Sequence, residues 1–356
     1  MRGDGAPLRV AVLMGGTSVE RDVSLASGSQ VARALESRGH DVVCVDTARG
    51  VLPPAEVARF LESGVHPDPP PPDSDDLLET GDTTSLTRAP ELEGVEVIFP
   101  ALHGGSGEDG TLQALLDLAG LPYAGSGRLG CTLAMDKDVT KRLLRQAGVP
   151  TPDWITTEGR VGPAELDRVV AELGFPLIVK PPSGGSSLGL TLARDRSELK
   201  ASVDEALRYE DRILFERYVA GRELTVGILG REPLPVGEIV PKGELFDYEC
   251  KYQPDMAEEI FPADIPPTLA RRLEDLALEV HRAFSLRDFS RVDFIVDERE
   301  NPWCLEANAL PGMTARSLLP QAAAAGGISF PELCERIVRL ALERHSGSGT
   351  TAAAPG

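Results

Sequence analysis

The chain is poor in several features that would each have pointed to a function. Its 356 residues hold only five cysteines, Cys44, Cys131, Cys250, Cys304 and Cys334, scattered and odd in number, with no CxxC or Cys/His spacing. This argues against a disulfide framework or a thiolate metal site and fits a reducing, cytoplasmic compartment. The apolar run in MRGDGAPLRVAVLMGG is too short for a signal-peptide core or a bilayer span and meets a glycine turn, so a soluble protein with no membrane partner is expected. Lys and Arg number 36 against 56 Asp and Glu, a formal charge of -20. Such a surface repels a phosphate backbone and argues against nucleic acid as a partner. No internal repeat is visible, no GxGxxG follows the first strand and no GxxxxGK[ST] occurs. Any phosphate chemistry must therefore rely on locally gathered cations.

The length predicts two or three domains around shared clefts. Arg9 to Met14 is a short apolar run stopped by Gly15 and Gly16, with a helical pattern from about Val23, which reads as strand, loop and helix. Asp41 to Val45 and Val95 to Ala101 read as further buried strands of an open, mostly parallel sheet. PDPPPP (Pro67 to Pro72) opens a stretch through about Ala89 with too few apolar residues to offset its ordering entropy, read as an exposed insertion over 66–90 without chemistry.

A second unit starts with one helix over Ala134 to Ala147, ended by Gly148 and Pro150. Strands are expected at Pro176 to Lys180, Arg212 to Glu216, Leu224 to Leu229 and Leu234 to Val240, with helices at Pro163 to Leu173 and Ser197 to Leu207. This irregular alternation suits α+β layers. A helix over Thr268 to Ala283, strands at Phe289 to Val296 and Trp303 to Glu306, a helix over Phe330 to Arg344 and a flexible tail complete the chain. The expected domains are 1–128, 129–217 and 218–345, followed by the tail 346–356.

Two stretches carry chemistry by composition. KPPSGGSSLG (Lys180 to Gly189) puts a lysine, glycines and serines after a strand, which suits a loop folding over polyphosphate, although an ordinary hairpin loop is the alternative. RVDF (Arg291 to Phe294) and LEANALPGMTARSLLP (Leu305 to Pro320) place Asp293 on one strand, Glu306 at the end of the next and Asn308 two residues on, on the same side. Three hard oxygen donors suit Mg²⁺, which neutralises β and γ phosphates in phosphoryl transfer; the alternative is a solvated acidic strand end.

These stretches, together with GGTSVERDVSLASG (Gly15 to Gly28), PALHGGSGEDGTLQ (Pro100 to Gln113), AMDK and FDYECKY (Phe246 to Tyr252), resemble the D-alanine:D-alanine ligase family of the ATP-grasp superfamily. The resemblance covers nearly all of residues 8 to 345. It implies an N-terminal open parallel α/β domain followed by a two-lobed ATP-grasp fold. The implied activity is ATP-dependent ligation of two D-alanines through D-alanyl phosphate, for peptidoglycan synthesis.

Carried over residue by residue, the resemblance puts ATP between the lobes with Lys137 and Lys180 on its phosphates, Glu216 and Glu223 at adenine and ribose, and Ser186, Ser187 and Val219 in the same set. It assigns Mg²⁺, two ions with Mn²⁺ as a substitute, to Asp293, Glu306 and Asn308. Arg291 and the Gly312 N–H would stabilise the acyl phosphate and oxyanion. Glu20 and His103 would meet the first D-alanine, with Glu108 orienting His103, and Ser317 with the Leu318 N–H the carboxylate of the second. Glu20, Ser186 and Tyr252 would form a hydrogen-bonded triad closing the loops, with Lys251 beside it. Tyr252 favours an amine over D-lactate as second nucleophile. Cys250 and Ala309, where the family often has alanine and threonine, remove no charge. The resemblance further implies a homodimer through the N-terminal domain.

Two other readings stand beside this one. A neighbouring ATP-grasp ligase would use the same chemistry on another second substrate, such as D-serine, D-lactate or a natural-product amine. A silent nucleotide-binding module would be expected to have lost some of Lys180, Arg291, Asp293, Glu306 and Asn308, and all are present.

Overall fold

A computed structural model describes residues 6–62, 90–185, 187–243 and 256–348. The insertion from Pro67 to Ala89, Ser186, the FDYECKY segment with Cys250, Lys251 and Tyr252, and the chain after Ser348 lie outside the described residues.

The first unit is a four-stranded sheet. Its strands are β1 (Arg9–Met14), β2 (Asp41–Asp46), β3 (Gly50–Val51) and β4 (Val97–Pro100), in the order β3-β2-β1-β4. β1 runs parallel to both β2 and β4. All of β1 after Arg9 is buried, as befits a central parallel strand covered on both faces. Helix α1 (Arg21–Ser37) lies against it so closely that a β-carbon on Gly28 would come within 2.5 Å of Met14 Cβ. Helices α2 (Pro54–Glu62) and α3 (Thr111–Ala119) complete the unit.

The expected single helix from Ala134 to Ala147 is two helices, α4 (Arg128–Met135) and α5 (Lys137–Gln146). Asp136 separates them in an extended conformation, and its carboxylate accepts from the N–H groups of Asp138 and Val139. An aspartate that satisfies the orphan donors of a helix start is a cap, and here it overrides the continuous apolar spacing. The break sets Lys137 at the first helical position.

The central lobe is a sheet of β5 (Trp154–Glu158), β6 (Leu177–Lys180), β7 (Thr191–Ala193) and β8 (Arg212–Arg217), in the order β5-β8-β6-β7 and antiparallel throughout. Helices α6 (Pro163–Leu173) and α7 (Arg196–Ala206) cover one face, packing Val169, Leu199 and Val203 on Leu177, Val179 and Phe215.

The C-terminal lobe has strands β9 (Arg222–Leu229), β10 (Glu232–Pro233), β11 (Gly237–Pro241), β12 (Ala257–Ile260), β13 (Phe289–Val296) and β14 (Pro302–Asn308). Their order is β12-β11-β9-β13-β14, with β10 on β9. The strand expected to stop at Glu306 continues to Asn308, because residues 306–308 remain paired to 291–293. Helix α8 (Pro267–Ala283) buries Leu269, Leu273, Ala277 and Val280 against this sheet. Helix α9 (Leu318–Ala325) and helix α10 (Phe330–Ser348), which runs past the expected end at Arg344, join the first core. There Leu333, Ile337 and Val338 share a cluster with Val31 and Leu35 of α1. The last described helix thus packs back onto the first unit.

Candidate active site

Between the central and C-terminal lobes lies a cleft of about 300 Å³. It is lined by Lys137, Lys180, Ser187, Glu216, Val219 and Glu223, with Asp293 and Glu306 on the facing wall. Residues as far apart in sequence as Lys137 and Glu306 are thus gathered in one hollow. Lys137 reaches across it: Nζ donates to Gly184 O at 2.8 Å and lies 3.8 Å from Glu306 Oε2. Lys180, at the end of β6, lies 3.1 Å from Glu216 Oε1. Glu216 is buried between Lys180 and Lys141, whose Nζ sits 2.5 Å from Oε2. Burial alone would raise the Glu216 carboxyl; the charges of Lys141 and Lys180 outweigh it and hold the group below its ordinary value.

On the facing wall, antiparallel register sets Asp293 opposite Glu306 and Arg291 opposite Asn308. Asp293 Oδ1 accepts from Thr225 Oγ1 at 2.6 Å and from Arg291 Nε at 2.9 Å. Oδ2 accepts from Arg291 Nη2 and from Asn308 Nδ2, both at 2.9 Å. Among the described residues no three His, Cys, Asp or Glu side chains form a metal-holding group. Two carboxylates and an amide fit the usual protein share of a Mg²⁺ shell, which phosphate oxygens and water complete, better than a metal caged by protein alone.

Glu20 stands at the N-cap position of α1, without a capping hydrogen bond from its side chain, and is buried. A β-carbon on Gly104 or Gly185 would lie 2.6 or 2.8 Å from Glu20 Oε2. The histidine loop and the glycine-rich loop therefore both close on this carboxylate, and only glycine permits the approach. His103 is buried, with Nε2 3.2 Å from Ser27 Oγ. Burial first, and the charge of Arg291 second, lower its pKa to about 4 and keep the imidazole neutral. Glu108 does not orient His103 as expected. Its Oε2 accepts the Gly104 N–H at 2.7 Å, and the partner of the imidazole is Ser27 on α1. Burial, reinforced by the charge of Glu20, pushes Glu108 up to about 8.

Ser317 stands at the N-cap of α9 without capping it, so the N–H groups of Leu318 and its neighbours head the helix uncapped by that side chain. Ser317 Oγ instead takes the Thr314 N–H at 3.1 Å. Gly312 packs on it so tightly that a β-carbon there would be 2.8 Å from Oγ. From α1, Gln30 Oε1 accepts the Ala315 N–H at 2.7 Å and steadies the turn. Ala309 is buried in the core of the C-terminal lobe. Ser186, Lys251 and Tyr252 lie outside the described residues, and the triad with Glu20 with them.

Sequence reasoning missed Lys141, Thr225, Ser27 and Gln30. Thr225 is the register partner of Asp293 on β9, a relation visible only once the strands are paired. Lys141 and Leu144 are three apart on the buried face of α5, so helical spacing alone could have flagged that lysine.

The family described as D-ala D-ala ligase N-terminus matches residues 9–126, and that described as D-ala D-ala ligase C-terminus matches residues 143–339. The chain belongs to the D-alanine–D-alanine ligase family. Relatives of that family include the D-alanine–D-alanine ligase of Desulforudis audaxviator, 44% identical over 94% of this chain and 99% of its own. That of Syntrophotalea carbinolica is 41% identical over 93% and 95%. Among solved structures, the ligase from Coxiella burnetii superposes with a TM-score of 0.77 at 26% identity, covering 97% of this chain and 96% of that one. The Bacillus anthracis ligase complexed with ATP gives 0.75 at 29% identity, covering 96% and 100%. The fold is that of the D-alanine–D-alanine ligase family: a parallel α/β unit followed by the two antiparallel lobes of an ATP-grasp enzyme.

Proposed function

We propose that this chain joins two D-alanine molecules into D-alanyl-D-alanine at the expense of ATP, as a step of peptidoglycan synthesis. The observation that supports it most is the shared cleft, in which Lys137 and Lys180 of one lobe face Asp293 and Glu306 of the other. A carboxylate oxygen is a poor leaving group, so the γ-phosphate first passes to the carboxylate of one D-alanine. The amine of the second then attacks that carbonyl carbon, and phosphate departs with the C–O bonding pair.

Lys137 and Lys180 offset phosphate charge as point cations. Ser187, Val219, Glu216 and Glu223 wall the nucleotide, with Ser186 from the same loop. Asp293, Glu306 and Asn308 hold Mg²⁺, which when bound neutralises charge on the transferring phosphoryl group. Arg291 and the Gly312 N–H face the oxyanion. Glu20 receives the first ammonium, and the neutral His103 accepts or donates a hydrogen bond without bringing charge. Ser317 and the Leu318 N–H at the head of α9 receive the second carboxylate, which a helix N-terminus favours. By the family resemblance, Lys251 and Tyr252, outside the described residues, are the further candidates for keeping water from the acyl phosphate. The remaining elements of the proposal are domain boundaries at 128 and 217, a cytoplasmic homodimer, and Mn²⁺ as a substitute metal.

Phosphate release with ATP, Mg²⁺ and D-alanine tests the proposal, with D-serine and D-lactate offered in parallel as second substrates. Release that depends on D-alanine, with the dipeptide formed mole for mole, is expected. Absence of turnover with D-alanine sinks it.

A further inference from the structure

Helix α5 buries the side chain of Lys141 completely, with no exposed surface. Three acceptors surround its ammonium: Thr151 Oγ1 at 2.7 Å, Pro152 O at 3.2 Å and Glu216 Oε2 at 2.5 Å. The Trp154 ring lies 5.4 Å away. Two of its N–H donors are hydrogen-bonded to neutral acceptors, and Glu216 is its ion-pair partner. Taking such an ion pair out of water costs several kcal/mol per ion, and apolar side chains of similar volume often serve stability as well or better. Packing alone does not explain this lysine.

Its carboxylate partner offers a reason. Glu216 divides its two oxygens between Lys141 and Lys180, and Glu216 itself is 3% exposed. Lys180 lines the cleft, and Lys141 does not. A lysine that turns to a nucleotide phosphate shares or gives up its contact with Glu216, and without a second cation a buried carboxylate would be left short of counter-charge. We infer that Lys141 is a positioning residue for ATP: it stays on Glu216 as the resident counter-ion, so that Lys180 can exchange the glutamate for phosphate oxygens. The cluster of two lysines and one glutamate also carries a net positive charge beside the cleft. Loss of Lys141 would leave Lys180 locked in a neutral pair.

This inference rests on the cleft being the ATP site, and the experiment separates the two. Wild type, Lys141→Met, Glu216→Gln and the double variant are compared as full-length proteins, by steady-state phosphate release at varied ATP and varied D-alanine and by calorimetric ATP binding. Lys141→Met is expected to raise KM and Kd for ATP by ~10-fold or more while KM for D-alanine moves less than about twofold. The double variant should bind ATP several-fold more tightly than Lys141→Met, because removing the charge of Glu216 releases Lys180. A methionine variant with an unchanged KM for ATP, or with both KM values raised together, overturns the inference, as does a double variant that binds ATP no better than the single one. If Lys141→Met does not fold, Glu216→Gln and the double variant decide it. ATP affinities within about threefold support action through Glu216, and a larger loss in the double variant overturns it. A wild type that does not saturate with ATP overturns both this inference and the reading beneath it.

Discussion

Asp293 and Glu306 are direct register partners on β13 and β14, and the irregularity in that pairing falls immediately after Asp293. The two carboxylates share one face at the cleft, yet their surroundings differ. Asp293 is buried under the guanidinium of Arg291, whereas the Glu306 side chain is 27% exposed. Glu306→Gln should therefore lower phosphate release by ~100-fold or more, through weakened metal and phosphate binding, with little change in Tm. Asp293→Asn should match that loss of activity and also cost roughly 1–3 kcal/mol in stability, because it removes the anion from a buried, hydrogen-bonded pair. Turnover of Glu306→Gln near the wild-type level at saturating Mg²⁺ would show that this acid holds no metal.

Glu108 predicts a proton linkage. Burial and the neighbouring charge of Glu20 push its carboxyl up to about 8, so at pH 7 it keeps its proton in the free protein. An ammonium arriving beside Glu20 would favour the ionised form and drive the proton into solvent. D-Alanine binding near pH 7 should accordingly release protons, read as a dependence of the calorimetric heat on the ionisation enthalpy of the buffer. Glu108→Gln should abolish that dependence. Heats independent of buffer in the wild type would refute the linkage.

Much of this arrangement was legible in the sequence because the signals were local. β1, α6 and β13 fall at their expected limits, since glycine ends the apolar run of the first and the helical spacing of the second, and the charged stretch Asp297 to Asn301 ends the third. Lys180 and the set Asp293, Glu306 and Asn308 were found by residue type and spacing, and Lys137 through the family resemblance. The parts that were not legible depend on relations between distant segments. The single helix expected over 134–147 failed because the capping carboxylate of Asp136 outweighs an unbroken apolar pattern. Glu108 was placed on His103 because the two share a loop, whereas the partner of the imidazole, Ser27, comes from α1, 76 residues away. Short elements such as β7 and β12 carry too few residues for a period to emerge and exist because neighbouring strands supply their hydrogen bonds.

His281, in the last turn of α8 and not among the residues that line the cleft, provides a test of pH-dependent stability. Its Nδ1 lies 2.7 Å from Ser290 Oγ, and burial, aided by the charge of Arg282, lowers its pKa to about 4. The unfolded chain binds this proton near pH 6.5 and the folded one does not. The contribution of the neutral ring is therefore complete above 6.5 and is lost as pH falls toward 4, up to ~3 kcal/mol. His281→Asn should be less stable than wild type at pH 7, but its Tm should decline less steeply between pH 7 and 5. Parallel Tm curves would mean that another group carries the acid sensitivity.

Gly184 and Gly185 are adjacent in the glycine-rich loop but should respond differently to alanine. Gly185 has no positive φ, and its added β-carbon would meet the end of Glu20, 2.8 Å from Oε2, displacing a side chain assigned to the amino acid. Gly184 has φ +100 and open space around it, so the penalty there is backbone strain of ~1–3 kcal/mol, and its carbonyl is the acceptor for Lys137. Gly185→Ala should thus raise KM for D-alanine by ~10-fold or more with little effect on that for ATP. Gly184→Ala should act on ATP, by loosening the anchor of a phosphate-facing lysine. Steady-state kinetics with each substrate varied in turn separates the two. Equal effects of both variants on both substrates would mean that the loop moves as one body and that neither contact is individually decisive.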